Sequence, residues 1–324
     1  MHTFKVVCEL LMLSVVLTGA GAFLIEWLYP PRGFFVAVEG WRQHVVDLAA
    51  PQGGCKDALP ILLIHGAGCN LEDMRLALGT RLAARRRVIM IDRPGLGWSR
   101  RAASGGHAPA YQARLVCGLL DRLGVDRAIV VGHSWGGALA ARLALDHPEC
   151  VAGLVMLAPP LYPLSRRHTW FYAGLAAPLI GWLTAHTVAL PLGALALRPG
   201  LATAFLPQAP QRRYLRQAAA FLLLRPDVLL ANARDVAGLQ YTIAPQASRY
   251  ADLAMPTVLM TGDRDVVVPP QQHSFAFAAA VPRAKFVVLP GIGHMLHHAA
   301  TDRVIAEIEA IAAAVQSPAS SLPT

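Results

Sequence analysis

The sequence predicts an α/β fold: a doubly wound, mostly parallel sheet with a helical cap inserted after the sixth strand. Three observations predict it. Short apolar runs, too continuous for half-buried strands, alternate with stretches of helical period. The alternation breaks between about residues 159 and 253, where the pattern is helical and punctuated by proline. It then resumes for two more strand–helix units. At 324 residues the chain has room for one large domain with an inserted subdomain, and such a core holds together without metals or disulfides.

The first element is an apolar helix. Residues 10–25 carry no charge, and apolar character runs from Val6 to Leu28 with Glu9 and Glu26 near its ends. A spanning helix needs about 20 apolar residues. Trp27 and Tyr29 sit where interfacial aromatics belong, and Pro30-Pro31 stops the helix. We expect a membrane-associated chain with a single-pass N-terminal anchor. Two alternatives are a cleaved signal segment and an amphipathic helix docked on the domain. In the first, Lys5 is the basic region, Ala20-Gly21-Ala22 the cleavage site, and the product is secreted or periplasmic. Lys5 on one side is balanced by Arg32 and Arg42 on the other, so charge does not orient the segment.

Phe34–Val38 and residues 44–48 read as two short strands around Glu39-Gly40, a hairpin. Residues 60–64 form a solid apolar run that ends in His65-Gly66-Ala67-Gly68. A helix over 71–84 follows, then the buried strand Val88–Ile91, which ends in Asp92-Arg93-Pro94-Gly95. Next come a helix over 109–123, a strand over 128–131, a helix over 136–146 and the strand Val151–Leu157. After the interruption, strands over 257–260 and 286–289 alternate with helices over 271–280 and 302–315. The expected organisation is an anchor or signal segment over 1–31, a core over 32–160 and 251–316, a cap over 161–250, and a disordered tail over 317–324.

Composition narrows the function. With 55% apolar and 15% charged residues the chain is oily for a soluble protein, yet too interrupted by Gly, Pro and Arg to cross a membrane many times. The five cysteines form no CxxC or Cys/His cluster, so no zinc or redox site is expected. Cys55 and Cys69 are candidates to pair if the domain lies in an oxidising compartment. The net charge of +9 comes without any nucleic-acid-binding motif, so no nucleic-acid partner is expected. Between Leu161 and Tyr250, nine arginines face only Asp227 and Asp235, which puts +7 of the +9 in the cap.

Gly132-His133-Ser134-Trp135-Gly136 matches G-x-S-x-G between a strand and a helix, the setting that a nucleophile elbow requires. The tight turn needs small flanking residues and lifts the serine hydroxyl above the strand ends. The helix that follows aims its N-terminus at the same spot, where negative charge develops. A serine hydroxyl needs a base to take its proton. His294, after Gly293 and beyond the last strand, is the candidate. His297 and His298 fall where the last helix approaches, and His133 is expected to pack as support.

These landmarks, together with Asp92-Arg93-Pro94-Gly95-Leu96-Gly97-Trp98-Ser99 and Gly262-Asp263-Arg264-Asp265, resemble the α/β-hydrolase superfamily over nearly all of residues 34–315. Their order Ser, Asp, His is the one this fold uses. The resemblance implies a serine hydrolase with Ser134 as nucleophile, His294 as base and Asp265 as acid. Asp265 is preferred to Asp263 because the second acidic position carries the role in similar chains; Asp263 then caps a turn. It also implies an oxyanion hole from the backbone N–H groups of Ala67 and Trp135. His65 and Asp92 are expected to be structural, and no cofactor or metal is implied.

The resemblance implies that the dehalogenase and epoxide-hydrolase branches need aspartate at position 134, so Ser134 excludes them. Carbon–carbon bond hydrolases, peptidases and cofactor-free perhydrolases or haloperoxidases share the triad and stay open. A membrane-tethered binding protein without activity is the reading from another class, and the complete triad weighs against it. Residues 169–197 carry no charge (His186 taken as neutral) and include Trp170, Phe171, Tyr172 and Trp182. Beside the bland reading of helices packed on the core, this stretch suits an apolar acyl pocket whose outer face dips into lipid. Anchor plus cap resemble membrane-associated monoacylglycerol lipases and esterases, which implies apolar or lipid ester substrates.

Overall fold

The structure is a computed structural model and describes residues 2–50, 58–102, 104–163 and 166–316, without the side chains of 166–169. The tail over 317–324 and Cys55 lie outside these residues.

Eight strands form one sheet: β1 (Phe34–Val38), β2 (Trp41–Leu48), β3 (Ile61–Ile64), β4 (Val88–Ile91), β5 (Ala128–His133), β6 (Val151–Leu157), β7 (Thr257–Gly262) and β8 (Lys285–Leu289). Their order is β1-β2-β4-β3-β5-β6-β7-β8, with β1 and β2 antiparallel and the rest parallel. Every residue of β3, β4, β5 and β6 is buried, because side chains on both faces meet helices. Two apolar layers result. One packs α4 (Pro109–Arg122) and α5 (Trp135–Asp146) on one face of the sheet; the other packs α13 (Thr301–Gln316) on the opposite face. The chain leaves β3 for β4 and then crosses back to β5, so a crevice opens at the carboxyl ends of β3 and β5.

The remaining core helices are short. The stretch after β3 is helical in three pieces: α2 (Leu71–Met74), a π-type turn (Arg75–Gly79) and α3 (Thr80–Leu82). A second π-type turn (Gln271–Phe275) leads into α11 (Ala276–Ala280), and α12 (Leu296–Ala299) precedes α13.

Between β6 and β7 lie α6 (Arg166–Ala176), α7 (Pro178–Thr187), α8 (Ala189–Phe205), α9 (Tyr214–Gln217) and α10 (Pro226–Ala247). A buried ionic knot ties α10 to the core. Asp235 accepts from Arg93 Nη1 at 2.7 Å, from Arg101 Nη1, and from Gln112 Nε2 at 3.2 Å, while its carbonyl accepts from the Trp135 indole at 3.1 Å. The Arg93 guanidinium also lies over the Trp135 ring. A lone buried carboxylate or guanidinium would be very costly, and here each neutralises the other.

The N-terminal segment is the helix α1 (His2–Leu28), broken before Pro30-Pro31. One narrow stripe, Ser14, Thr18, Gly21 and Ile25, faces the cap; most of the remaining helix surface is exposed and apolar. Glu26 pairs with Arg225 Nη1 at 2.8 Å in the same contact.

The cysteine pairing differs from the one considered above. Cys117 on α4 is bonded to Cys150 before β6, and Cys69 is free. The two paired residues share the helix-covered face where α4 meets the start of β6, which spacing along the chain does not reveal.

Removing the central carboxylate of the cap knot strands two buried guanidinium groups. Asp235→Ala is therefore expected to lower the unfolding free energy by about 3–5 kcal/mol, read by urea denaturation. A loss below about 1 kcal/mol would show that water replaces Asp235 at no cost.

Candidate active site

Ser134 follows β5 and caps α5 with φ +50° and ψ −124°. This left-handed conformation costs on the order of 1–3 kcal/mol for a residue with a side chain, so the surroundings must enforce it. Its amide donates to the Leu157 carbonyl at 2.8 Å, pinning the turn to the end of β6. Gly136 lets the turn close, since a Cβ there would lie 2.5 Å from the carbonyl oxygens of Ile64 and His65. Ser134 is buried, and Trp135 N–H, first in α5, has no intrahelical acceptor.

The loop after β3 lies against this turn. A Cβ on Gly66 would sit 3.0 Å from Ser134 Cβ. His65 Nδ1 bonds the Gly66 carbonyl at 2.8 Å, and its Nε2 accepts from the Arg93 amide at 2.9 Å. That pattern requires one protonated and one bare nitrogen. Burial, reinforced by Arg93, pulls the His65 pKa down to about 4, so the ring stays neutral as its partners require. Fixing the Gly66 carbonyl aims the Ala67 N–H of the same planar peptide the opposite way. Asn232 Oδ1, from α10, accepts from Gly68 N at 2.7 Å and brings the cap into this loop.

His294 follows β8, and Asp265 follows β7. Nδ1 of His294 meets Asp265 Oδ2 at 2.8 Å, with both side chains buried. Asp265 Oδ1 accepts from the amides of Val267 and Val268 at 2.8 and 2.9 Å, which fixes the carboxylate plane. Asp263 points elsewhere and accepts from Gly291 N at 2.7 Å. His133 bridges the two halves of the site. Its Nε2 donates to the His294 carbonyl at 3.1 Å, and the two rings lie 4.9 Å apart. Burial and the neighbouring histidines hold the His133 ring well below its usual pKa, so it is a neutral donor. The five residues singled out from sequence thus gather at the carboxyl ends of β3, β5, β7 and β8.

Several residues here were missed by sequence reasoning. Gln208, in the cap, clamps the histidine loop: Nε2 donates to the Gly291 carbonyl at 2.7 Å and Oε1 accepts from Gly293 N at 3.1 Å. Asp73 on α2 gathers His297 Nε2 at 3.0 Å, His298 Nε2 at 2.8 Å and the Tyr214 hydroxyl at 2.6 Å. Burial acts to raise the Asp73 pKa, but the two imidazoles outweigh it and hold the carboxyl well below its usual range. Asp73, His297 and His298 have the donor types and proximity to hold a metal ion. Hydrogen bonds among them already account for the arrangement. Asp92, expected from sequence to be structural, accepts from Leu71 N, Trp98 N and His44 Nδ1 at 2.7–2.8 Å and braces the strand-end loop. Helical position alone gives no sign that Asp73 faces two histidines some 224 residues away.

Residues 60–300 match the family model of the α/β-hydrolase fold. A 2-hydroxymuconate semialdehyde hydrolase of Pseudomonas putida is 29% identical over 279 residues, covering 82% of this chain and 88% of that one. The magnesium-chelatase 30 kDa subunit of Rhodobacter capsulatus is 31% identical over 270 residues, covering 81% and 89%. Among solved structures, an α/β-hydrolase-fold protein from Burkholderia ambifaria superposes with a TM-score of 0.69 at 22% identity, covering 85% and 96%.

Asp73 makes a pH prediction. Its folded pKa is depressed, so its stabilisation is fully present above the unfolded value near 3.9 and is lost progressively as pH falls from there through the lower folded value. Asp73→Asn is expected to cost on the order of 2 kcal/mol at pH 7 and progressively less below about pH 4. Urea denaturation of both chains at the two pH values checks this, and an equal gap at both would exclude it.

Proposed function

The chain belongs to the α/β-hydrolase family, and from that premise we propose that it is a serine hydrolase that cleaves carboxylic esters of apolar acyl chains at a membrane. The observation that carries the catalytic part is the Asp265–His294 hydrogen bond, held beside the strained Ser134 turn by His133. In this reading His294 Nε2 takes the Ser134 proton as Oγ attacks the substrate carbonyl. Asp265 keeps Nδ1 protonated and stabilises the imidazolium. The N–H groups of Ala67 and Trp135, with the N-terminus of α5 behind them, receive the oxyanion. His294 then hands its proton to the leaving alcohol, and water repeats the sequence on the acyl-enzyme.

Two features support an apolar substrate at a membrane: the N-terminal helix, long and apolar enough to cross one, and the uncharged, aromatic outer cap. A second reading, carbon–carbon bond hydrolysis, draws support from the likeness to the Pseudomonas putida hydrolase.

Ser134→Ala is expected to abolish turnover and fluorophosphonate labelling with the thermal midpoint retained; full labelling of that variant would remove Ser134 from the role. Asp265→Asn should slow turnover by on the order of 10⁴, because the histidine loses its orienting carboxylate. Asp263→Asn should leave turnover nearly intact. On p-nitrophenyl esters from acetate to palmitate, kcat/KM should climb by up to roughly fourfold per methylene until the pocket fills, from about 0.8 kcal/mol per buried methylene. Peak efficiency at acetate, or faster turnover of 2-hydroxymuconate semialdehyde than of any ester, would favour the other readings.

A further inference from the structure

We propose that α1 and the outer faces of α7 and α8 form one lipid-embedded body. In it the α7–α8 elbow enters the bilayer beside the α1 span and returns to the catalytic side without crossing. The proposal rests on the anchoring role given to α1 above, extends it to the cap, and commits the apolar cap face to one occupant, membrane hydrocarbon.

The outer faces are the first reason. A helix packed on a soluble domain turns polar residues to water. Here α7 and α8 turn out Leu179, Ile180, Trp182, Leu183, Leu192 and Leu195, with Leu179 71% and Leu195 77% exposed. These side chains continue the apolar surface of α1, because α1 packs directly on both helices. The window of α1 that is long and apolar enough to span is only 6% buried by the protein.

The backbone at the elbow is the second and more specific reason. α7 and α8 meet at 82°. In an unbroken helix the Thr187 carbonyl would accept from the amide four residues on, but that residue is Pro191, which has no N–H. Facing water, such a carbonyl needs no protein partner. In hydrocarbon it must find one inside the protein. Two hydroxyls of α1 supply it: Ser14 Oγ donates to Thr187 O at 2.8 Å and Thr18 Oγ1 at 3.1 Å. They are the polar members of the stripe on an otherwise apolar helix face, and Thr18 is buried. Gly21 continues that stripe against Leu190, the small-residue packing typical of helices in lipid.

The charge distribution fits the same placement. No charged residue lies between Pro178 and Leu197; the exposed Arg198, Arg212, Arg213 and Arg216 follow, suited to reach anionic head groups. Since both ends of the α6–α10 segment join the same sheet, through β6 and β7, the elbow must leave the bilayer on the side it entered. From the lipid-facing Leu195, α8 runs on to Phe205, which packs with Tyr214 and Met295 beside His294. The embedded face therefore leads from the bilayer to the base of the site.

The test uses the full chain with Cys8→Ser, Cys55→Ser and Cys69→Ser, which leaves the Cys117–Cys150 bond, in vesicles of phosphatidylcholine and phosphatidylglycerol. Single cysteines at Leu183, Leu195, Leu13 of α1, and Asp126, at the opposite end of the sheet, carry an environment-sensitive fluorophore. Circular dichroism melts report folding. Spin-labelled lipid is expected to quench the probes at 183 and 195 as it does the probe at 13, with aqueous iodide effective only at 126. Iodide quenching at 183 and 195 equal to that at 126, with 13 still in lipid, would overturn the proposal and leave the anchor standing. Exposure of 13 as well would remove both, and protection of 183 and 195 from both quenchers would assign the face to a second copy of the chain instead. Ser14→Ala combined with Thr18→Ala should lower the thermal midpoint in vesicles; an unchanged midpoint would overturn the union of α1 with the elbow.

Discussion

The turn between β5 and α5 forces Ser134 to a positive φ, and much of the sheet's active end is arranged around keeping it there. The Leu157 carbonyl pins its amide, the backbone of Ile64 and His65 crowds Gly136, and Gly66 presses against its Cβ. Any one of these would yield to a strained residue; acting together they over-determine it. In the function proposed above, the strain would have a use, because a tight turn after β5 presents the serine hydroxyl beyond the strand ends.

Buried carboxylates do the rest of the positioning. Asp92 organises the loop after β4, Asp73 gathers the helix that follows His294, and Asp235 fastens the cap to Arg93 under the Trp135 ring. Each faces several donors, which makes its burial tolerable. Because Arg93 also offers its amide to His65, the cap knot, the loop that carries Ala67 and the elbow belong to one connected set.

The oily composition has a structural counterpart. Apolar residues in excess of what the sheet buries collect on α1, α7 and α8, and the arginine excess follows just behind them. In a water-soluble hydrolase such a surface would be an aggregation hazard. In the membrane placement proposed above, the same surface is a docking face.

The fold and the strand–turn–helix setting of Ser134 were legible in the sequence because both depend on local patterns. Continuous apolar runs mean strands covered on two faces, and Gly132-His133-Ser134-Trp135-Gly136 between a strand and a helix has few other uses. Strand ends fell within three residues of their places for the same reason. The choice of Asp265 over Asp263 needed more, since both follow the same strand and differ only in which way the turn points them. Asp73, Asp235, Gln208 and the Cys117–Cys150 bond were not legible at all, because their partners lie 33 to 225 residues away and no local period links them. The three readings of α1 also share one apolar pattern. Only tertiary structure, by setting Ser14 and Thr18 on the carbonyl that Pro191 leaves without a donor, shows that this helix has a specific seat on the cap.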